Sequence, residues 1–436
     1  MFILILSLIG ILIILYLLFT LYLKCKMPFW SKQPVFHLYN IFFWLRPPGL
    51  ISEDIPSINK YVDLLNIKTF SLPELLEERE TLLKTVCNFI KHNYISNLYK
   101  QEKTITSSYT PSKTNIIEYL NASNHAGYIT VYQKPKLLFN KDSPETYIDD
   151  IISVISARPL YVRLNKQKRL FPVYYVDNLC VQPAYRKKNI ASNMIQTHYY
   201  NLRQKNKIIN TCLFKREGEL NAIVPLVAFN TYCINIENMI NYNILTRGVV
   251  SLPINISLIE IGSNQLSLLV DFIKSQMSKF SCAILPDITN IANLIKTENI
   301  KVFALIDKTI KSVLNTNQII GCYVFRLGEI AYDNKKTSEC ISMISNNICN
   351  KSIFLKGFNM SCQLLKEKEK TELILVEDTA DSHIVIDFFT KAKKDNNNNN
   401  NNNTNNNIII FKSPTAFFMY NYACYSIKKS DFLIIY

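Results

Sequence analysis

Hydrophobic residues follow three kinds of pattern along this chain, and each predicts a different element. The first is unbroken. From Phe2 to Leu23 nearly every residue is Ile, Leu, Phe or Tyr, interrupted by Ser7, Gly10 and Thr20. About 20 apolar residues suffice to cross a bilayer as a helix. Lys24, Lys26 and Lys32 follow, and no charged side chain precedes the run, so the positive-inside rule puts the bulk of the chain in the cytosol. A cleaved signal peptide would have a basic start and a small-residue cleavage site, and neither is seen. The expectation is an uncleaved single-pass membrane anchor over 1–24.

The second pattern is helical. A connector carrying Pro28, Pro34, Pro47, Pro48 and Pro56 cannot be regular helix. Beyond it, Leu75, Leu76, Leu82, Leu83, Val86, Phe89 and Ile90 recur at helical spacing, and Glu74, Glu77 and Glu78 crowd the first turns. They predict a helix from Pro73 to about His92. The same reasoning predicts helices over Asn189–Arg203, Gln265–Lys279 and Asp381–Lys391. The third pattern is strand-like, rich in β-branched and aromatic residues, over Ala126–Gln133, Asp150–Ala157 and Pro172–Val181. Further strands are expected at Asn221–Phe229, Ile319–Arg326, Leu373–Val376, Ile408–Phe411 and Phe432–Tyr436. Strands alternate with helices in both halves, so the expected class is α/β with a mixed sheet. Asn396–Asn407 is nearly pure Asn and reads as a surface loop, 395–407.

Composition narrows the chemistry. A chain of 436 residues exceeds one ordinary small core. With 48% hydrophobic and 19% charged residues it is globular. Gly numbers only 9, and neither a Rossmann nor a P-loop fingerprint occurs. Net charge is +15, but the basic residues are scattered without an aromatic-rich strand reader, so no nucleic acid is expected. A phosphate-bearing cofactor and a membrane lipid surface explain the charge as well. The 11 Cys lack paired spacing and only 5 His are present, so reduced buried thiols and no metal site are expected.

The segment that carries chemistry is Asp177-Asn178-Leu179-Cys180-Val181-Gln182-Pro183-Ala184-Tyr185-Arg186-Lys187-Lys188-Asn189-Ile190-Ala191. An apolar strand ends, a short basic loop follows, and a helix starts. Helix N-terminal N–H groups are unpaired and partly positive, a ready seat for a pyrophosphate, and Arg186, Lys187 and Lys188 add charge.

Val181-x-Pro183-x-x-Arg186-x-x-x-Ile190-Ala191 resembles motif A of the GNAT acyltransferases, with Asn189 where Gly is usual. Leu179-Cys180-Val181 through Ala191 resembles, without a gap, the corresponding pattern of the N-myristoyltransferases. Phe29-Trp30-Ser31-Lys32-Gln33-Pro34-Val35, Phe89–Tyr94, Ile152–Pro159 and Phe417-Phe418-Met419-Tyr420-Asn421-Tyr422 resemble that family's segments in the same order, as does the apolar end Phe432–Tyr436. The resemblance is thin between Asn238 and Ser413.

It implies two tandem GNAT-like modules sharing a mixed twisted sheet flanked by helices, with 25–235 as the acyl-CoA-binding module and 236–436 as the second. It implies an N-acyltransferase that moves myristoyl, or a similar fatty acyl group, from CoA to the N-terminal glycine amine of a protein. An acetyl-CoA-dependent enzyme and an inactive membrane scaffold are the alternatives. By resemblance the base is the C-terminal carboxylate of Tyr436, and the backbone N–H groups of Asn178 and Leu179 form the oxyanion hole. The acyl-CoA co-substrate lies on Val181 and Arg186, Lys187, Lys188, Asn189, Ile190 and Ala191, with Phe29 and Trp30 packed against it. An apolar terminal strand also suits simple sheet pairing. Phe214-Lys215-Arg216-Glu217-Gly218 departs from the family's peptide-holding pattern, which leaves the acceptor pocket open.

Overall fold

The computed structural model describes residues 2–94, 96–100, 103–122, 124–138, 146–164, 170–218, 222–247, 251–311, 317–398 and 408–436. Phe2–Lys26 is one continuous helix whose apolar side chains are largely exposed, with Leu23 near its end buried. The chain then turns through the Pro-rich connector into the folded body.

The expected helix over Pro73–His92 forms in two pieces, Leu72–Glu77 and Glu80–Asn93. Ser71 and Glu74 build a reciprocal capping box at the start. Arg79 leaves helical geometry (φ −138°, ψ 41°) and restarts the chain at Glu80. Leu75, Leu83, Val86 and Ile90 still reach one buried cluster, so the apolar spacing survives the break.

Among the described residues 16 strands join one mixed sheet. Most neighbours are antiparallel. The parallel pairs are Lys335–Ser345 with Leu373–Glu377, Phe171–Val181 with Cys212–Glu217, and Cys282–Leu285 with Phe432–Ile434. The 19-residue strand Thr146–Leu164 is the spine of the first half, pairing with Tyr128–Leu138 and Phe171–Val181 and, at its end, Cys282–Leu285. The halves interlock. Ile409–Tyr420, late in sequence, inserts between Val227–Asn235 and Cys212–Glu217. Helices Ile190–Lys205 and Lys351–Glu369 each bury an apolar face against the sheet.

The expected strand over Asn221–Phe229 begins only at Val227 and runs to Asn235. Asn221 lies outside the described residues, and Pro225, which has no N–H to donate to a ladder, precedes the strand. Asn396–Asn398 extend the helix His383–Asn398, and the rest of the Asn-rich stretch lies outside the described residues. Phe432–Ile434 is the last strand; the Ile435 N–H then donates to Ile284 O, and Tyr436 ends the chain fully buried.

Candidate active site

Two departures from regular sheet geometry create the site. The parallel strands Phe171–Val181 and Cys212–Glu217 pair only from Tyr174–Val176 against Cys212–Phe214 and then part. Asp177, Asn178, Leu179 and Lys215 lie just past that split. On its other edge the first strand pairs Ser156 with Asp177 but Val154 with Cys180. Two residues, Asn178 and Leu179, therefore oppose one, Ile155, which is a β-bulge. Asn178 adopts φ 56°, a left-handed conformation that Asn tolerates better than most side chains.

Two neighbouring spaces lie at the bulge and the split. A cleft of about 820 Å³ is lined by Val181, Arg186, Lys187 and Asn189–Ser192 at one end, and by Lys215, Glu217, Arg326, Glu339 and Tyr436 at the other. A second cavity of about 490 Å³ lies beside it, walled by Trp30, Ile155, Val176, Ile195, Tyr199, Phe214 and Tyr420. Tyr94, Asp177, Asn178, Leu179 and Lys215 line both. Chemistry that joins a polar nucleotide to an apolar chain would sit at that wall.

The basic loop has the shape that an anion seat needs. Asn189 precedes the helix Ile190–Lys205 with φ 62°, ψ 7°. That left-handed geometry accounts for Asn at the position where motif A has Gly. The Asn189 carbonyl accepts the first helical bond, from the Asn193 N–H, and the N-terminal residues Ile190, Ala191 and Ser192 border the cleft. Arg186 does not extend freely: Nε donates to Val181 O at 3.0 Å and Nη2 to Asn93 O at 2.8 Å. These bonds brace the loop between the strand end and the preceding helix. Lys187 borders the cleft, whereas Lys188 folds over the Tyr185 ring, 5.4 Å from its centroid, and lines neither space.

Phe29 also lines neither space. Its ring is boxed by Trp30 at 5.2 Å and Tyr61 at 5.1 Å. Trp30 takes the wall position and stacks on Phe214 at 5.7 Å. Of the two expected oxyanion donors, the Asn178 N–H is already engaged by Asp177 Oδ1 at 2.8 Å. The ladder skips Leu179, which is 37% exposed and borders both spaces.

The inner end of the cleft holds a charged cluster whose members are far apart in sequence. Lys215 Nζ donates to Glu377 Oε1 at 2.7 Å and to the Tyr436 hydroxyl at 3.0 Å, and Glu217 approaches at 3.6 Å. The Tyr436 hydroxyl donates to Glu377 Oε1 at 2.7 Å. Burial pushes the Lys215 ammonium down, but Glu377, Tyr436 and Glu217 outweigh it and hold the group well above its ordinary value. Lys215 is therefore a fixed cation. Arg326 lies between Asp177 at 3.8 Å and Glu339 at 3.7 Å, with its guanidinium over the Tyr119 and Tyr436 rings. Arg158 stacks on Tyr119 and Tyr175, and its buried Nη atoms have no hydrogen-bond partner among the described residues.

The sequence alone does not single out this cluster. Phe214-Lys215-Arg216-Glu217 stands out there only as a departure from a pattern, and alternating charge on a strand usually means a solvated face.

The arrangement brings the N-terminus of helix Ile190–Lys205 and Tyr436 to one cleft, with an apolar cavity beside it. No protein-family model matches the sequence, and no curated protein matches it. Similar folds do exist among solved structures. A crystal structure of Saccharomyces cerevisiae N-myristoyltransferase with bound myristoyl-CoA matches 92% of this chain and 94% of its own, with TM-score 0.60 and 13% identity. A second, from the same organism and also with bound myristoyl-CoA, matches 92% of this chain and 89% of its own, with TM-score 0.62 and 14% identity. At such identity the likeness lies in the fold, and the protein has the fold of the N-myristoyltransferases.

Proposed function

We propose that this protein is an acyl-CoA-dependent N-acyltransferase that moves a fatty acyl group, myristoyl or one of similar length, to the N-terminal glycine amine of a protein. One observation carries the reading. Tyr436 borders the same cleft as the helix N-terminus at Asn189–Ser192, and an apolar cavity shares Leu179 with that cleft as part of its wall. Bound myristoyl-CoA in the yeast enzymes of this fold adds support.

In this reading the CoA phosphates lie on the N–H groups of Ile190 to Ser192, aided by Lys187. The acyl chain enters the apolar cavity beside Trp30 and Phe214. The Tyr436 carboxylate takes a proton from the acceptor ammonium, whose pKa of about 7.7–8.0 makes the demand small near neutral pH. The free amine attacks the thioester carbonyl, the carbonyl oxygen accepts the Leu179 N–H, and the C–S bond breaks. The amide forms as the attacking nitrogen loses a second proton, and the CoA sulfur leaves as thiolate and takes up that proton. One such donor is worth about 2.7–4 kcal/mol in the transition state. A second donor, from Asn178, requires Asp177 to release its N–H.

The acetyl alternative is less favoured because a cavity of about 490 Å³ far exceeds what one methyl group fills. The anchor reading of Phe2–Lys26 places this chemistry at the cytosolic face of a membrane. The test is thioester consumption by purified full-length protein with myristoyl-CoA and acetyl-CoA, each against a Gly-initiated peptide. Turnover with myristoyl-CoA supports the reading. Turnover with acetyl-CoA alone contradicts it, and no turnover leaves an inactive scaffold.

A further inference from the structure

The short segment after the first helix is apolar on its outside and hydrogen-bonded to the body of the protein on its inside. Helix Ile41–Leu45 shows Phe42 at 81% and Leu45 at 74% exposure, and Leu38, Ile41 and Trp44 are exposed beside them. Single exposed apolar residues are ordinary, but five within eight positions form a patch. Three contacts tie the segment down from beneath. Asn40 Oδ1 accepts the Phe43 N–H at 3.2 Å. Trp44 Nε1 donates to Leu38 O at 2.9 Å. The Tyr425 hydroxyl donates to Trp44 O and Leu45 O at 3.2 and 3.1 Å, capping carbonyls that a helix end leaves open. Phe36, packed under Phe43 and Trp44, fastens the helix to the body.

Its position says what covers it. The hydroxyl of Tyr16, inside the apolar run, donates to Tyr39 O at 2.7 Å, and Lys24 Nζ lies 5.6 Å from the Tyr39 ring centroid. Tyr16 precedes Leu23, the last apolar residue of the run, by seven residues. At 1.5 Å rise per residue Tyr39 therefore stands roughly 10 Å down the hydrophobic length of the helix. Interfacial helices bury their apolar faces about 5–10 Å into the boundary between headgroups and acyl chains. Lys24 and Lys26, in the last turn of the first helix, mark the level of anionic headgroups.

We propose that Leu38–Leu45 is a second membrane contact, which sinks into the leaflet that the first helix enters and fixes the orientation of the body on the bilayer. This rests on reading Phe2–Lys26 as an anchor. The patch, the capping by Tyr425 and the bond from Tyr16 make the contact a property of the folded body, which a tethered body alone would lack.

The chain has only 2 Trp, Trp30 and Trp44. Trp30→Phe leaves Trp44 as a single reporter in the full-length protein, reconstituted in phosphatidylcholine–phosphatidylserine vesicles carrying acyl-brominated lipid. The expected result is loss of more than half of the Trp44 emission, abolished by Phe42→Glu with Leu45→Glu, while the protein stays in the membrane pellet through alkaline carbonate. If Trp30→Phe fails to fold, the unaltered chain compared with Trp44→Phe gives the same difference. Carbonate-resistant protein with unquenched Trp44 overturns the contact alone, and a dimer under those conditions assigns the patch to a second copy. Release by carbonate overturns the anchor and the contact together.

Discussion

The hydroxyl of Tyr436 donates to Glu377 at 2.7 Å, so the last side chain of the protein is fastened to a buried carboxylate 59 residues earlier in the chain. Lys215 completes the clamp from the opposite half of the fold. Tyr436 is fully buried, and its hydroxyl is held at two points.

Tyr436→Phe keeps the carboxylate but removes the clamp. Leaving Lys215 and Glu377 short of a partner should lower stability by about 1–3 kcal/mol. A carboxylate free to drift should lower kcat by about 10- to 100-fold. Binding of acyl-CoA, measured by calorimetry, should be unchanged because the clamp does not touch the loop Arg186–Asn189.

Asn189→Ala tests the helix entry. A non-Gly residue at φ 62° carries a left-handed strain of roughly 1–2 kcal/mol that Asn partly escapes and Ala does not. The variant should bind CoA about tenfold more weakly, whereas Asn189→Gly should bind as the parent does. Equal behaviour of the two variants would separate CoA binding from this backbone geometry.

Ile195 borders the apolar cavity from the helix Ile190–Lys205. Ile195→Phe should shorten that space at a cost of about 1–3 kcal/mol from overpacking. Activity with the longest acyl-CoA should fall first, while shorter thioesters keep theirs. The chain-length profile reads this out.

His198 lies in the wall of the same cavity with Nδ1 2.6 Å from the Thr130 hydroxyl. Burial pushes its pKa down to about 3, against an ordinary 6.5. Above pH ~6.5 the ring is neutral whether the chain is folded or not. As pH falls from ~6.5 towards ~3, the unfolded chain takes up a proton that the folded one refuses, and stability drops by about 1.4 kcal/mol per pH unit. Below ~3 the effect levels off. His198→Gln should remove this slope, seen in urea unfolding midpoints across that range.

Local patterns make some of this architecture legible in the sequence. The apolar run Phe2–Leu23 and the strand–loop–helix around Asp177–Ala191 depend on neighbouring residues, and both form where periodicity and charge place them. Helix Lys351–Glu369 and strand Lys335–Ser345 escape such a reading. The helix carries Gly357 and β-branched Ile353 among its apolar residues, and the strand is buried on both faces and so does not alternate. The clamp Lys215–Glu377–Tyr436 is legible only in three dimensions, because its members come from three strands or their ends. The engaged N–H of Asn178 depends on one rotamer of Asp177, which no sequence pattern specifies.

In the proposed reaction the main-chain carboxylate of Tyr436 is the proton acceptor. Adding one Gly after Tyr436 converts that carboxylate into an amide and carries the terminal charge away, leaving every side chain unchanged. Steady-state turnover with myristoyl-CoA and a Gly-initiated peptide, alongside acyl-CoA binding, is the direct measurement. The account predicts binding within about twofold of the parent and a kcat lower by at least the 10²–10⁴-fold that a positioned base contributes. Full turnover by the extended chain would contradict it.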